Sequence, residues 1–111
     1  VIYVASPYSH SDPAIREHRY RMAMNYVYHN TMSGTPRLFS PILYTHEMAC
    51  KYNMPADFDF WQSFCLAWLD RAEELHILKL EGWQESRGLL AEWNHARRLN
   101  LPILEVTWGN S

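Results

Sequence analysis

Cysteine is scarce in this chain: Cys50 and Cys65 are the two in 111 residues, and no C-x-x-C spacing joins them. Two thiols in a chain of this size make no disulfide framework, so a reducing cytoplasm is the expected compartment. Long apolar runs are lacking as well. The N-terminal run ends at Ala5, short of a signal-peptide core, and nothing later approaches the ~18 residues of a membrane span, so no membrane partner is expected. The first residue is Val1 rather than Met, from which we expect that a residue or tag has been removed. A basic excess is missing too: the net charge of −2 argues against a nucleic-acid polymer as partner. Small anions are still admissible, because a helix N-terminus binds them without net positive charge.

Glycine-rich phosphate loops are likewise absent. Neither G-x-G-x-x-G nor G-x-x-x-x-G-K-[ST] occurs, so a nucleotide would have to be held by other means. The nearest approach to H-E-x-x-H is His46-Glu47-Met48-Ala49-Cys50, which ends in Cys and has no third ligand placed by sequence. The other histidines lack ligand spacing and read as surface or hydrogen-bonded core residues. We therefore expect no metal and no cofactor. No internal repeat, low-complexity tract or charged tail is evident.

What the chain has in abundance is aromatic side chains: five Trp, seven Tyr and four Phe. They must occupy a core, an interface or a stacking site, and they lead us to expect a homo-oligomer, a dimer or a tetramer. The length is that of one domain, residues 1–111.

Val1 to Ala5 is short, apolar and β-branched, as suits a strand buried on both faces. Asp12-Pro13 then marks a helix start, with Ile15, Met22, Tyr26 and Val27 at helical spacing until Gly34; Arg16, Arg19 and Arg21 fall among its polar positions. Arg37 to Ile42 reads as a second strand, followed by a stretch without clear period from Leu43 to Pro55, of a length that is usually functional or holds a short helix. Asp57 can cap a helix whose stripe is Trp61, Phe64, Cys65, Trp68, Leu69 and Ala72. Leu75 to Leu80 reads as the third strand, Leu89 to Leu99 as a further helix ended by Asn100 at a left-handed position, and Pro102 to Val106 as the fourth strand. Strands alternating with helices imply an α/β class with right-handed crossovers: a single-domain, three-layer flavodoxin/Rossmann-like fold with a mainly parallel sheet of about four to five strands. Ligands of such sheets lie beyond the carboxyl ends of the strands, where Ser6 to Ser9, Ser40 to His46 and Gly82 to Gly88 should converge.

On the last helix the apolar face is Leu89, Trp93, Ala96 and Leu99, with Asn94 and Arg98 pointing away. Glu92 projects between Ala96 and Leu99, toward protein. A helix N-terminus would favour its charge and burial would oppose it. Beside it, Ser86 can either cap the helix or offer its hydroxyl to a phosphate, and Trp83 can either anchor the loop or stack on a base. Asp57, Asp59 and Asp70 lie on or beside the preceding helix, where acids are commonly just solvated.

Ile2-Tyr3-Val4-Ala5-Ser6-Pro7-Tyr8, together with Gly82-Trp83-x-x-Ser86-x-Gly88-x-x-x-Glu92 and Ala96, resembles the nucleoside 2-deoxyribosyltransferase-like superfamily. The likeness extends through nearly the whole chain, including Trp68-Leu69 and Leu101-Pro102-Ile103. It implies cleavage or transfer at the N-glycosidic bond of a (deoxy)nucleoside or its 5′-monophosphate, with Glu92 as the nucleophile. It also implies Tyr3 and Ser6 as sugar and phosphate contacts and Ser86 as a phosphate contact, with Pro7, Tyr8, Trp83 and Gly88 counted beside them as substrate-binding. Asp57 and Asp59 are the candidates to protonate the departing base. Two positions depart from the pattern: Cys65 stands where many members have Asp, and Leu89 follows Gly88 where the transferases commonly have Thr. The first of these raises an alternative, a nucleotide-binding or sensing module without turnover.

Overall fold

A computed structural model describes residues 1–108. Among them, four strands form one parallel sheet: β1 (Ile2–Ala5), β2 (Leu38–Phe39), β3 (Glu74–Leu78) and β4 (Ile103–Val106), in the order β2-β1-β3-β4. The helices are α1 (Pro13–Met32), α2 (Pro41–Lys51), α3 (Phe58–Leu69) and α4 (Arg87–Arg98), with a single 3₁₀ turn at Trp83–Glu85. This is the expected α/β class, compatible with a three-layer Rossmann/flavodoxin-like arrangement. The chain leaves β1 toward β2 on one side and returns to β3 on the other. The crevice where the order reverses therefore opens at the carboxyl ends of β1 and β3.

Alternation along β1 and β3 distributes the core to both faces of the sheet. Tyr3, Ala5, Leu75 and Ile77 pack with Cys65 and Leu69 of α3 and Leu89 and Ala96 of α4. Val4 and Leu78 pack with Tyr26 of α1 and with Leu80. His76, paired in register with Val4, is buried and satisfied: Tyr26 Oη lies 2.8 Å from its Nδ1 and a Glu74 oxygen 2.6 Å from its Nε2.

The helix signals at α1 act as read. Asp12 accepts the Ala14 N–H at 2.9 Å, Pro13 occupies the first turn, and Gly34 follows the C-cap at φ 101°. Asn100 adopts φ 58° just past α4. The second strand is much shorter than expected, because Pro41 opens a helix instead of continuing the Arg37 to Ile42 run. Proline fixes φ and lacks the N–H a strand would use, yet it suits a first helical turn after an extended Ser40. The apparently aperiodic stretch after Leu43 is mostly this helix. Its buried stripe is Ile42, Thr45, His46 and Ala49, correctly spaced, but half polar and so hidden from an apolar pattern. Ala72 lies beyond the end of α3, β3 ends at Leu78, and α4 starts two residues ahead of Leu89. Leu99, expected on the inward face of α4, is exposed.

Candidate functional site

The three expected segments and a fourth, from Ala56 into α3, line a cavity of about 310 Å³ at the carboxyl edge of the sheet. Ser6, Tyr8 and Ser9 enter it from the loop after β1, and Pro41, Ile42 and Thr45 from α2. Asp57, Asp59, Trp61 and Cys65 come from the N-cap and body of α3, and Ser86, Gly88 and Glu92 from the N-cap and first half of α4. Among the residues singled out in the sequence, Glu92, Asp57, Asp59, Ser6, Tyr8, Ser86 and Gly88 are thus brought together. Tyr3, Pro7 and Trp83 do not line this space.

Glu92 is 4 % exposed, on the inward side of α4, and the Tyr3 hydroxyl donates to its Oε2 from beneath. The sixth residue of α4, it lies past the first turn, where a helix terminus acts most strongly. Burial therefore wins. Loss of solvation pushes its carboxyl up to about 8, although the Tyr3 hydrogen bond draws it the other way. Tyr3 in turn is raised well above the usual phenol range, by burial first and by the neighbouring Glu92 second, so it acts as a donor. Cys65 lies beside this pair with its thiol pushed up to about 12, chiefly by burial and then by Glu92. A thiol so held is a poor nucleophile.

Ser6 adds an independent mark of a binding site. Its hydroxyl is buried, lines the cavity and has no hydrogen-bond partner among the described residues. Buried polar atoms are rarely left so unless a ligand or water completes them.

Ser86 is the N-cap of α4: its Oγ accepts the Leu89 N–H at 3.2 Å, while its hydroxyl proton is still available to donate. It also borders a second cavity of about 670 Å³ lined by His10, His18 and Arg19 and by Glu81 and Glu85. Gly88 permits the close approach of α4 to α3, since a Cβ there would meet the Phe58 ring at 2.8 Å. Asp57 caps α3 by accepting the Phe60 N–H at 3.2 Å, and Asp59 pairs with Arg87 at 2.9 Å. Both carboxylates reach the cavity rim, and both are used there as acceptors. Trp83 is a loop anchor, stacked on Trp93 with centroids 6.5 Å apart and with Lys79 Nζ 5.7 Å from its ring.

Sequence reasoning missed Arg19, a buried cation of α1. Its guanidinium donates to the carbonyls of Ser9 at 3.0 Å and Glu81 at 3.1 Å, tying together the loops after β1 and β3. The signal was present: Ile15, Arg19, Met22 and Tyr26 share the inward face of α1. Gly82 makes room for it, with φ 84° and a position where a Cβ would lie 2.7 Å from Arg19 Nη2.

His46 is buried with Tyr8 and Glu17 as its partners, while Cys50 Sγ stands 3.8 Å from its Nε2. Among the described residues no three His, Cys, Asp or Glu side chains group so as to hold a metal ion. Nor is any helix among them long and apolar enough to cross a membrane.

A family profile described as Domain of unknown function (DUF1937) matches residues 1–108. No curated protein matches the chain.

Proposed function

With a match over all but the last three of its residues, the chain belongs to the DUF1937 family, and for this member we propose cleavage or transfer at an N-glycosidic bond, with Glu92 as nucleophile. The observation that carries the reading is a buried carboxyl, oriented by Tyr3, in a cavity at the switch point of the sheet. A volume of about 310 Å³ is at the lower end of small-molecule sites, which favours a nucleoside or its 5′-monophosphate over a polymer. The resemblance of the first-strand and Gly88-to-Glu92 motifs to the deoxyribosyltransferase-like superfamily supports the same chemistry.

In this reaction a Glu92 oxygen attacks the anomeric carbon as the bond to the base breaks. Water, or a second base, then displaces the carboxylate. Tyr3 holds one oxygen, leaving the other to attack. The unpaired Ser6 hydroxyl supplies a contact to the sugar or its phosphate. Ser86, shared by both cavities, would meet a 5′-phosphate extending toward the His10 and His18 side. No cofactor takes part in this scheme.

The test is release or exchange of base across a panel of deoxynucleosides and their 5′-monophosphates, with Glu92→Gln as control. Turnover abolished by that substitution is expected; turnover unaffected by it removes Glu92 from the mechanism. The elevated carboxyl adds a pH dependence. Only the ionised form attacks, so kcat/KM should fall as pH drops below about 8.

A second reading, nucleotide binding without turnover, is favoured by one observation: Asp57 and Asp59 are tied up in a cap and an ion pair, and the inert Cys65 faces Glu92. Calorimetry showing tight binding of a deoxynucleotide, with no product after long incubation, would select it.

A further inference from the structure

We propose that Tyr8, backed by His46 and Glu17, is the acid–base group of the Glu92 cavity; the assignment rests on the glycosidic reading above. Three side chains form a line leading out of that cavity. Tyr8 lines it from the loop after β1, and its hydroxyl lies 2.6 Å from His46 Nδ1. His46, on α2 and 3 % exposed, has its Nε2 3.0 Å from Glu17 Oε1 on α1. Tyr20 stacks on the imidazole with centroids 4.2 Å apart, and the Tyr8 ring meets it edge-on at 5.5 Å, so the ring is fixed in orientation.

The remaining groups around the line are few. Cys50 is near Nε2, Glu47 accepts the Tyr20 hydroxyl at 3.3 Å, Arg21 holds the other Glu17 oxygen at 3.1 Å, and Arg16 lies near Tyr8. Hydrogen bonds from His46 and Arg21 hold Glu17 below the usual carboxylate range. Burial, the largest influence, pushes Tyr8 up to about 12, and it keeps its proton throughout the range in which Glu92 ionises. Two groups with titrations set apart in this way suit the acid and nucleophile roles.

In the first step the bond from the anomeric carbon to the base nitrogen breaks and the bond to a Glu92 oxygen forms. The base takes the Tyr8 proton, and Tyr8 takes the proton from Nδ1 of the His46 imidazolium, leaving His46 neutral. In the second step a water oxygen bonds to the anomeric carbon and the Glu92 ester bond breaks. The water proton passes to Tyr8 and the Tyr8 proton to His46, restoring the starting state. Tyr8 is the catalytic residue here; His46 and Glu17 are positioning residues that let it cycle without a free phenolate.

The experiment is a leaving-group series of 2-deoxyribosides, from natural purine and pyrimidine bases to 4-nitrophenol, assayed with wild type, Glu92→Gln, Tyr8→Phe, His46→Gln and Glu17→Gln. Tyr8→Phe should lower kcat about 10²-fold or more for natural bases and under about tenfold for 4-nitrophenol, which leaves without a proton. The His46 and Glu17 variants should show the same ranking with smaller losses. Loss of equal size across the series in Tyr8→Phe, with Glu92 still required, overturns the relay and leaves the glycosidic reading standing. Wild type inactive on every 2-deoxyriboside of the series and on their 5′-monophosphates overturns both. Separately from turnover, ¹⁵N NMR of the histidines should show the His46 Nδ1 resonance displaced by Tyr8→Phe and Nε2 by Glu17→Gln. Resonances indifferent to both substitutions contradict the line itself.

Discussion

At Glu92 burial and hydrogen bonding oppose one another, and the outcome affects stability as well as chemistry. The folded-state carboxyl is raised to about 8, above its unfolded value near 4.5. The folded protein therefore holds a proton that the unfolded chain gives up between those values, and stability falls as pH rises through that window. Glu92→Gln keeps a partner for the Tyr3 hydroxyl without the ionisable group. Its Tm should match wild type near pH 5 and exceed it by several degrees at pH 8 to 9, in thermal melts across that range. A wild-type advantage at alkaline pH would contradict the burial argument. The inward direction of Glu92 was legible from helical spacing alone. That Tyr3, 89 residues distant in sequence, donates to it was not expected: the resemblance implied Tyr3 as a sugar contact, not as a bond to the carboxyl. The line from Tyr8 to His46 to Glu17 was not legible, because it joins a loop and two helices whose approach no local pattern encodes. Of the two readings of Ser86, the cap is the one seen in the fold. Removing its cap with Ser86→Ala should cost about 1 kcal/mol in urea denaturation.

Among the elements, α4 and α2 teach opposite lessons. α4 announced itself through Ser86, its apolar face and Asn100; its start was read two residues late, its end one residue late, and Leu99 is exposed rather than inward. α2 was hidden because Thr45 and His46 occupy inward positions that an apolar pattern scores as surface. Those same polar positions are the ones that border the cavity or buttress Tyr8. The residues that blurred the secondary-structure signal are thus those given to the site. At the junction of α3 and α4, Gly88 lets the helix starts meet. Gly88→Ala places a Cβ 2.8 Å from the Phe58 ring, and the ring or α4 must shift. We expect a loss of about 1–2 kcal/mol by chemical denaturation, overpacking outweighing the helix propensity of alanine. Phe58→Leu in the same background should recover part of it. A Gly88→Ala variant as stable as wild type would show that the contact is loose.

For the whole molecule, the switch-point topology explains why residues from every quarter of the chain meet in one cavity, and the parallel α/β class was readable from the order of strands and helices. The aromatic excess proved less informative about assembly than expected. Trp61, Trp83 and Trp93 pack against one core cluster and Trp108 against the other, leaving Trp68 substantially exposed. The proposal of a homo-oligomer now rests on Trp68, stacked on Phe39, with exposed Tyr44 and Phe60. Sedimentation should give a dimer or tetramer that Trp68→Glu dissociates, and a concentration-independent monomer would refute it. Arg19 acts at the same scale by joining the two loops that flank the cavity. Arg19→Met should accelerate hydrogen exchange in residues 6–10 and 80–86 and cost about 2–4 kcal/mol through two lost charged hydrogen bonds.

The central claim is that Glu92 becomes covalently bonded to the sugar. Peptide mapping by mass spectrometry of an acid-quenched reaction, using a deoxynucleoside or 5′-monophosphate that the protein cleaves, tests it most directly. A 2-deoxyribosyl group on the peptide carrying Glu92, absent in Glu92→Gln, is the predicted result. An adduct on another residue, or base release that persists in Glu92→Gln, would contradict it.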